Sequence, residues 1–347
     1  MKKYFEIYSE IKSGINKGEY KRGEKLPSKR VLADKYGCSL ITVERAYSML
    51  DDEGYIYSKE RKGYFVSDID ASLVRAESDS KRPFTYLEEE SPAFCELEYS
   101  LFFKSLRKVI SEKGERLFTS SPSEGCAVLR NAIASYLYRY RKMIAEPSNI
   151  IIGSGAEQLY EIAARLLGRD KKIGVEDPCY KQIISVYMGM GIETVPLTMG
   201  ESGIVSSELT EKEFDLLHVT PFHSYPSGVT ADIQKRLEYL RISAERGIYI
   251  IEDDFDSEFF MPGNPIETLY SLSVGNVIYI NTFSKSLSPS MRMGYMILPD
   301  ILLERYKDVF GGLSCSVPVI DQYVIAEFIE SGYFERHLNR MRRKMKK

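Results

Sequence analysis

At 347 residues, 44% of them hydrophobic, the chain is long enough for two or three packed domains, and no stretch approaches the ~18 apolar residues of a membrane-spanning helix. The formal charge of −3 does not mark the whole chain as a nucleic-acid binder, yet residues 1–67 carry 14 Lys and Arg against 10 Asp and Glu, a net of +4 that leaves −7 for the rest. Five scattered cysteines without a CxxC pair, and only three histidines, argue against a zinc site or any other metal and for a reduced, cytoplasmic compartment.

Tyr4, Ile7, Tyr8, Ile11 and Ile15 recur at spacings of three and four, which predicts a first helix over 4–15. The turn GEYKRGEKLPS ends it. Ser28 then reads as the N-cap of a short helix through Tyr36, stopped by Gly37, and Ser39 caps a third helix with an apolar face of Val43, Ala46, Tyr47 and Leu50. Two such helices joined by a three-residue turn at Gly37 make a helix-turn-helix. The following YIYSKERKGYFVS reads as a two-stranded wing with its charged tip at 59–63. The third helix sets Ser39, Thr42 and Arg45 in its exposed N-terminal half, where a recognition helix meets base edges and phosphates. Arg30 on the second helix, and Arg61, Lys62 and Gly63 at the wing tip, are placed to border the groove. The other reading of the same pattern is a three-helix interaction module with solvated charges.

Residues 68–96 mix Ser, Asp and Glu with two prolines and lack sustained periodicity, so they read as a tether, with room for a short amphipathic piece. From 97 to 347 helical patterns such as AVLRNAIASYLYRYRKM give way to apolar strands alternating with helices: IIIG, KIGVED, ETVPL, FDLLHVTP, IYIIEDD and VIYIN. That alternation predicts a mostly parallel α/β sheet covered by helices, with ligands at the carboxyl ends of its strands. Polar residues gather at those ends. GSGAEQ, residues 153–158, opens a helix whose free N–H groups form an anion site. Tyr180 offers a ring face, and one of Asp253 and Asp254 carries a buried negative charge. His218, Thr220 and His223 fall in HVTPFHSYPSG. In VIYINTFSKSLSPSMRMGY a buried strand runs into a Ser- and Pro-broken turn with Lys285, flanked by Thr282, Ser284 and Ser286, in a position to be desolvated and held still as a Schiff-base amine. Arg292 adds a planar fork for phosphate. An amine, a carboxylate on a separate strand end, a ring face and an anion cradle suit a phosphorylated aromatic aldehyde.

The run KLPSKRVLADKYGCSLITVERAYSMLDDEGYIYSKERKGYFVS resembles the winged-helix domain of GntR-type bacterial repressors, with Leu40 where that family usually has Arg. SGAEQ, VEDPCY, HVTPFHSYPSG, IIEDDFDSEF and NTFSKSLSPSMRMGY follow the order seen in fold type I pyridoxal-phosphate aminotransferases, and together the two parts resemble the MocR-type subfamily of GntR regulators. The resemblance implies that Lys285 forms an internal aldimine with pyridoxal 5'-phosphate, that Asp253 contacts the pyridine nitrogen and that Tyr180 stacks on the ring. It implies that Ser284, Arg292 and the amides of Gly155 and Ala156 hold the phosphate, with Thr282 and His223 completing the cofactor set. Phe255 stands where the family has a tyrosine, and Gln182 where some members have an arginine for a ligand carboxylate. The chain stops at Lys347 inside the helix that would lead to a small C-terminal domain, and the basic run ERHLNRMRRKMKK reads as a solvated helix end. The expectation is a homodimeric regulator that binds double-stranded operator DNA and senses an amine, an amino acid or the cofactor itself. The alternatives are a class I/II aminotransferase with a fused DNA-binding domain, and a cofactor-free repressor whose body only dimerises.

Overall fold

The computed structural model describes residues 3–68, 98–259, 267–273 and 275–345. They fall into two compact units. The predicted tether lies outside the described residues except for Asp68.

In the N-terminal unit, α1 (Lys3–Asn16) buries Ile7, Tyr8, Ile11 and Ile15 on the predicted stripe. The side chain of Ser28 accepts from the backbone of Val31 at the start of α2 (Lys29–Tyr36), and Gly37 ends it with φ +55, a left-handed cap that glycine adopts without penalty. Ser39 caps α3 (Leu40–Asp52) by accepting from the Thr42 amide, and Val43, Ala46, Tyr47 and Leu50 face inward. The wing is an antiparallel pair, β1 (Ile56–Lys59) and β2 (Gly63–Val66), with Ile56 opposite Val66 and both buried in the same core as the three helices.

The large unit begins with α4 (Tyr99–Lys113) and α5 (Ala127–Tyr136). The pattern predicted α5 to run on to Met143. Instead the chain widens into a single π turn at 137–141 and leaves it at Lys142 with φ +56, which carries Arg141 inward to a buried partner. Alternating elements follow: β3 (Ile150–Gly153), α6 (Ala156–Leu167), β4 (Ile173–Asp177), α7 (Lys181–Gly189), β5 (Thr194–Gly200), β6 (Gly203–Ile204), α8 (Ser206–Glu211), β7 (Leu216–Val219), α9 (Ile233–Arg246) and β8 (Tyr249–Asp253). After α10 (Leu269–Leu272) come β9 (Val277–Thr282), α11 (Phe283–Ser286), β10 (Gly294–Ile297), α12 (Asp300–Phe310), α13 (Val319–Glu330) and α14 (Tyr333–Met345).

Eight strands form one sheet in the order β3-β10-β9-β8-β7-β4-β5-β6. From β9 to β5 neighbours are parallel, as predicted. At one side β10 runs antiparallel between β3 and β9, and at the other edge β6 is antiparallel to β5. Neither β6 nor β10 was predicted; the two residues of β6 are too short for a period-two signal. The β10 pairing positions the site. Gly294 sits opposite both Gly153 and Thr282, so the end of β3, the end of β9 and the start of β10 meet at one edge. A Cβ on Gly294 would lie 2.8 Å from the Asn281 carbonyl oxygen, which explains the glycine.

Alternation along the strands covers both faces. Ile150, Ile152, Tyr279, Tyr295 and Ile297 pack with α5, α13 and α14, while Ile151, Ile278, Ile280 and Met296 pack with α6, α7 and α12. Phe334 and Leu338 on α14 are buried in the first of these cores. The basic end is therefore not simply solvated: its first turns are a packed helix, and Arg340 and Arg342 bond to Glu98 and to the Glu258 carbonyl. Among the described residues no helix is long and apolar enough to cross a membrane.

Candidate functional site

A cavity of about 300 Å³ opens at the carboxyl ends of β8 and β9, beside the first turn of α6. Its wall brings together Asp253, Lys285, Tyr180, Ala156, Thr282, Ser284 and Arg292, residues drawn from segments up to 136 positions apart (156 to 292). The connection from β9 to β10 explains part of this. It leaves and re-enters the sheet at adjacent strands, so Lys285 and Arg292 return to the same edge. Lys285 lies in α11, one helical turn, where the sequence predicted an irregular Ser/Pro turn. Gly155, the N-cap of α6, has φ +97, and a Cβ there would stand 3.0 Å from Arg292 Nη2. The position admits glycine because the backbone is in a conformation side chains rarely adopt and the guanidinium occupies the space above it. Phe255 and Gln182 also line the wall.

His223 does not. Its backbone φ is +53, and its Nδ1 lies 2.7 Å from Asp256 Oδ2. The other oxygen of Asp256 is 2.7 Å from Lys285 Nζ. His223 thus reaches the lysine through Asp256. His218 is buried and bonded to the Tyr187 hydroxyl, and burial pushes its pKa down to about 3, so it is a neutral core group. The Thr220 amide donates to Glu176.

The two candidate acids separate by their partners. Asp254 turns away from the cavity: Arg141 Nη2 and the Tyr279 hydroxyl each donate to its Oδ2 over 2.8 Å. Asp253 faces the cavity with 3% of its surface exposed. Tyr160 donates to its Oδ2, while Oδ1 has no hydrogen-bond partner among the described residues. Burial raises this carboxyl to about 7; the Tyr160 hydrogen bond opposes the rise, and the charge of Asp254 adds to it.

Lys285 differs from its prediction. Its side chain is 45% exposed rather than desolvated, but it is held still by the ion pair to Asp256, a carboxylate only 1% exposed, and lies 5.2 Å from the centre of the Phe255 ring. Arg292 Nη2 pairs with Glu157 at 2.8 Å. The residues missed from sequence are Asp256, Tyr160, Tyr225 and Glu157. Asp256 was visible as the last acid of EDDFD, and Tyr225 stood in HVTPFHSYPSG, where its ring meets Tyr180 edge-on at 5.9 Å. Tyr160 lies one turn into α6 and gives no local signal.

In the N-terminal unit the outward residues fall where predicted. Arg30, Ser39 and Arg45 are exposed and Thr42 half-buried, and Arg61, Lys62 and Gly63 make the wing tip, Arg61 with φ +58 and Gly63 with φ +105.

Residues 3–66 match the family of bacterial regulatory proteins of gntR type, and residues 94–347 match aminotransferase class I and II. The uncharacterized HTH-type transcriptional regulator YdeL of Bacillus subtilis (strain 168) is 35% identical over 355 residues, spanning 99% of this chain and 77% of that protein. The probable rhizopine catabolism regulatory protein MocR of Rhizobium meliloti is 29% identical across 97% of this chain and 75% of its own length. Kynurenine aminotransferase of Pyrococcus horikoshii shares the fold of the large unit, with a TM-score of 0.65 at 22% identity over 71% of this chain. The chain spans 64% of that enzyme, less than two thirds of its length. With a gntR-type winged helix at one end and an aminotransferase-like unit over the rest, the chain belongs to the MocR-type subfamily of GntR transcriptional regulators.

Proposed function

We propose that this regulator binds operator DNA through residues 1–67, is tethered by 68–96, and holds pyridoxal 5'-phosphate at Lys285 in the body formed by 97–347. Its effector is an amine, an amino acid or the cofactor itself, and its working form is a homodimer. One observation carries the reading. The amine of Lys285 and the Oδ1 of the buried Asp253, unpartnered among the described residues, line a single cavity, with Arg292, Ser284 and the N-terminus of α6 on the same wall. That set fits the group: an amine for its aldehyde, an orphaned acceptor for its ring N–H, and an anion cradle that any side chain at Gly155 would fill.

When bound, the cofactor supplies an electrophilic carbon and an aromatic ring that withdraws electrons once its nitrogen is protonated. The chain's own residues prepare for this. Asp253, whose Oδ1 lacks a donor among the described residues, would accept a hydrogen bond from the protonated ring nitrogen and, as a carboxylate, serve as its buried counter-charge. Lys285 Nζ gives up a proton before it acts as a nucleophile, and Asp256 Oδ1, 2.7 Å away and backed by His223, is the neighbouring carboxylate that takes or stabilises it. Tyr180 presents a ring face, and Arg292 exchanges Glu157 for the phosphate. A Lys285 amine not engaged by the cofactor would pair with Asp256, and that change of charge arrangement at this end of the sheet would bias the body between two arrangements.

The test is an absorbance spectrum of the full chain after incubation with pyridoxal 5'-phosphate and dialysis, beside Lys285→Ala. A near-ultraviolet to visible band retained by the wild type and lost in the variant is expected. A bare protein spectrum in both overturns the reading.

A further inference from the structure

In a helix lying in the major groove, sequence is read by side chains on the outward side of the first turns that are free to meet base edges. On α3 most polar candidates are already engaged. Ser39 Oγ accepts from the Thr42 amide and lies 2.9 Å from Thr42 Oγ1, so each hydroxyl already has a partner within the helix start. Glu44 pairs with Lys29. The Arg45 guanidinium lies over the Tyr4 ring, 4.4 Å from its centre. The remainder of the first turn is apolar: Leu40 is 47% exposed and Ile41 76% exposed. Neither belongs to the core, which takes Val43, Ala46, Tyr47 and Leu50 from this helix. Ile41 is four residues before Arg45 and so shares its outward face.

Among the four bases, the apolar group on a major-groove edge is the C5-methyl of thymine. We infer that Leu40 and Ile41 are specificity-determining residues that pack on thymine methyl groups, so that the half-site carries thymine where the first turn of α3 enters the groove. The inference rests on the DNA-binding reading of residues 1–67 and deepens it. Positioning on the duplex is left to the phosphate contacts of Arg30 and the wing tip, which carry no base information.

The experiment selects duplexes from a randomised pool with the full chain and then replaces each thymine of the selected half-site by uracil, which removes the methyl group and nothing else. At one or two positions uracil weakens binding by about three- to fivefold, the loss expected for one buried methyl. At those positions the penalty disappears in Leu40→Ala or Ile41→Ala, and Leu40→Arg shifts the selected base toward guanine. Uracil substitution alters only the DNA, so it reads out independently of how the variants fold. A half-site that binds equally with uracil and thymine at every position overturns the inference, as does a uracil penalty unchanged in both alanine variants. A pool in which no sequence is enriched overturns the DNA-binding reading and the inference with it; enrichment without a methyl effect overturns the inference alone.

Discussion

Asp253 ends β8 with one oxygen held by Tyr160 and the other unpartnered among the described residues, and burial moves its carboxyl from the ordinary value of 3.8 up to about 7. A carboxyl raised on folding binds a proton more tightly in the native state than in the unfolded chain. Its contribution to stability is therefore fully present below about pH 4 and is lost as pH rises through about 7. Glu258, raised to about 7, and Glu176 and Glu252, raised to about 8, act with the same sign. His218 acts with the opposite sign, since burial lowers it from 6.5 to about 3 and its contribution is lost only as pH falls below 6.5. Between pH 6.5 and 8 the opposing contribution of His218 fades, and these buried carboxyls pull the slope downward. Calorimetry of the cofactor-free protein across that window is expected to show stability declining as pH rises. In Asp253→Asn the decline is shallower, by about 1 kcal/mol per pH unit near pH 6.5 and by almost nothing at pH 8. Parallel slopes in the two proteins would show that Asp253 is ionised already. The residue pattern by itself left Asp253 and Asp254 open and only the family resemblance singled out Asp253, because adjacent residues at a strand end point to opposite faces and the pattern does not say which face holds the cavity.

At the scale of elements, the turn after α5 is decided by a distant partner. LYRYRKM continues the helical pattern of AVLRNAIASY, yet the chain widens at 137–141 so that Arg141 can bond Asp254 and Ser257 in the segment beyond β8. Both side chains of the Arg141–Asp254 pair are 3% exposed. Arg141→Met leaves a buried carboxylate without its counter-ion and is expected to cost about 3–5 kcal/mol in urea unfolding of the full chain. Arg141→Met with Asp254→Asn recovers most of that loss, whereas a double variant as unstable as the single one would place the cost in packing of the turn instead. This contrast marks what was legible. The helices and wing of the N-terminal unit could be read because Ser28, Ser39 and Gly37 are local caps and the apolar period is local. The π turn, β10 and Asp256 could not, because each takes its form from residues far away: Asp254 for the turn, β3 and β9 for the strand, Lys285 and His223 for the acid. The cavity wall was legible residue by residue from motifs at strand ends, but the exposure of Lys285 and the withdrawal of His223 behind Asp256 depend on which side of a turn each occupies.

At the scale of the whole molecule, the net +4 of residues 1–67 and −7 of the rest separate two electrostatic tasks along one chain, and the cavity and the recognition helix belong to different compact units. A regulator built this way works only if the two sites bias one shared equilibrium, and such a bias is reciprocal. If pyridoxal 5'-phosphate changes operator affinity by some factor, operator DNA changes cofactor affinity by the same factor. Typical couplings run to about 5- to 150-fold. The measurement is a square of four titrations: the full chain on its selected duplex with and without the cofactor, and the cofactor on the full chain with and without the duplex. Equal ratios on opposite sides are expected in the wild type, and both ratios fall to one in Lys285→Ala, which keeps its winged helix and its DNA binding. A wild-type ratio of one on both sides would mean that the two units share a chain without sharing an equilibrium, which would leave the cavity as a binding site with no hold on the DNA.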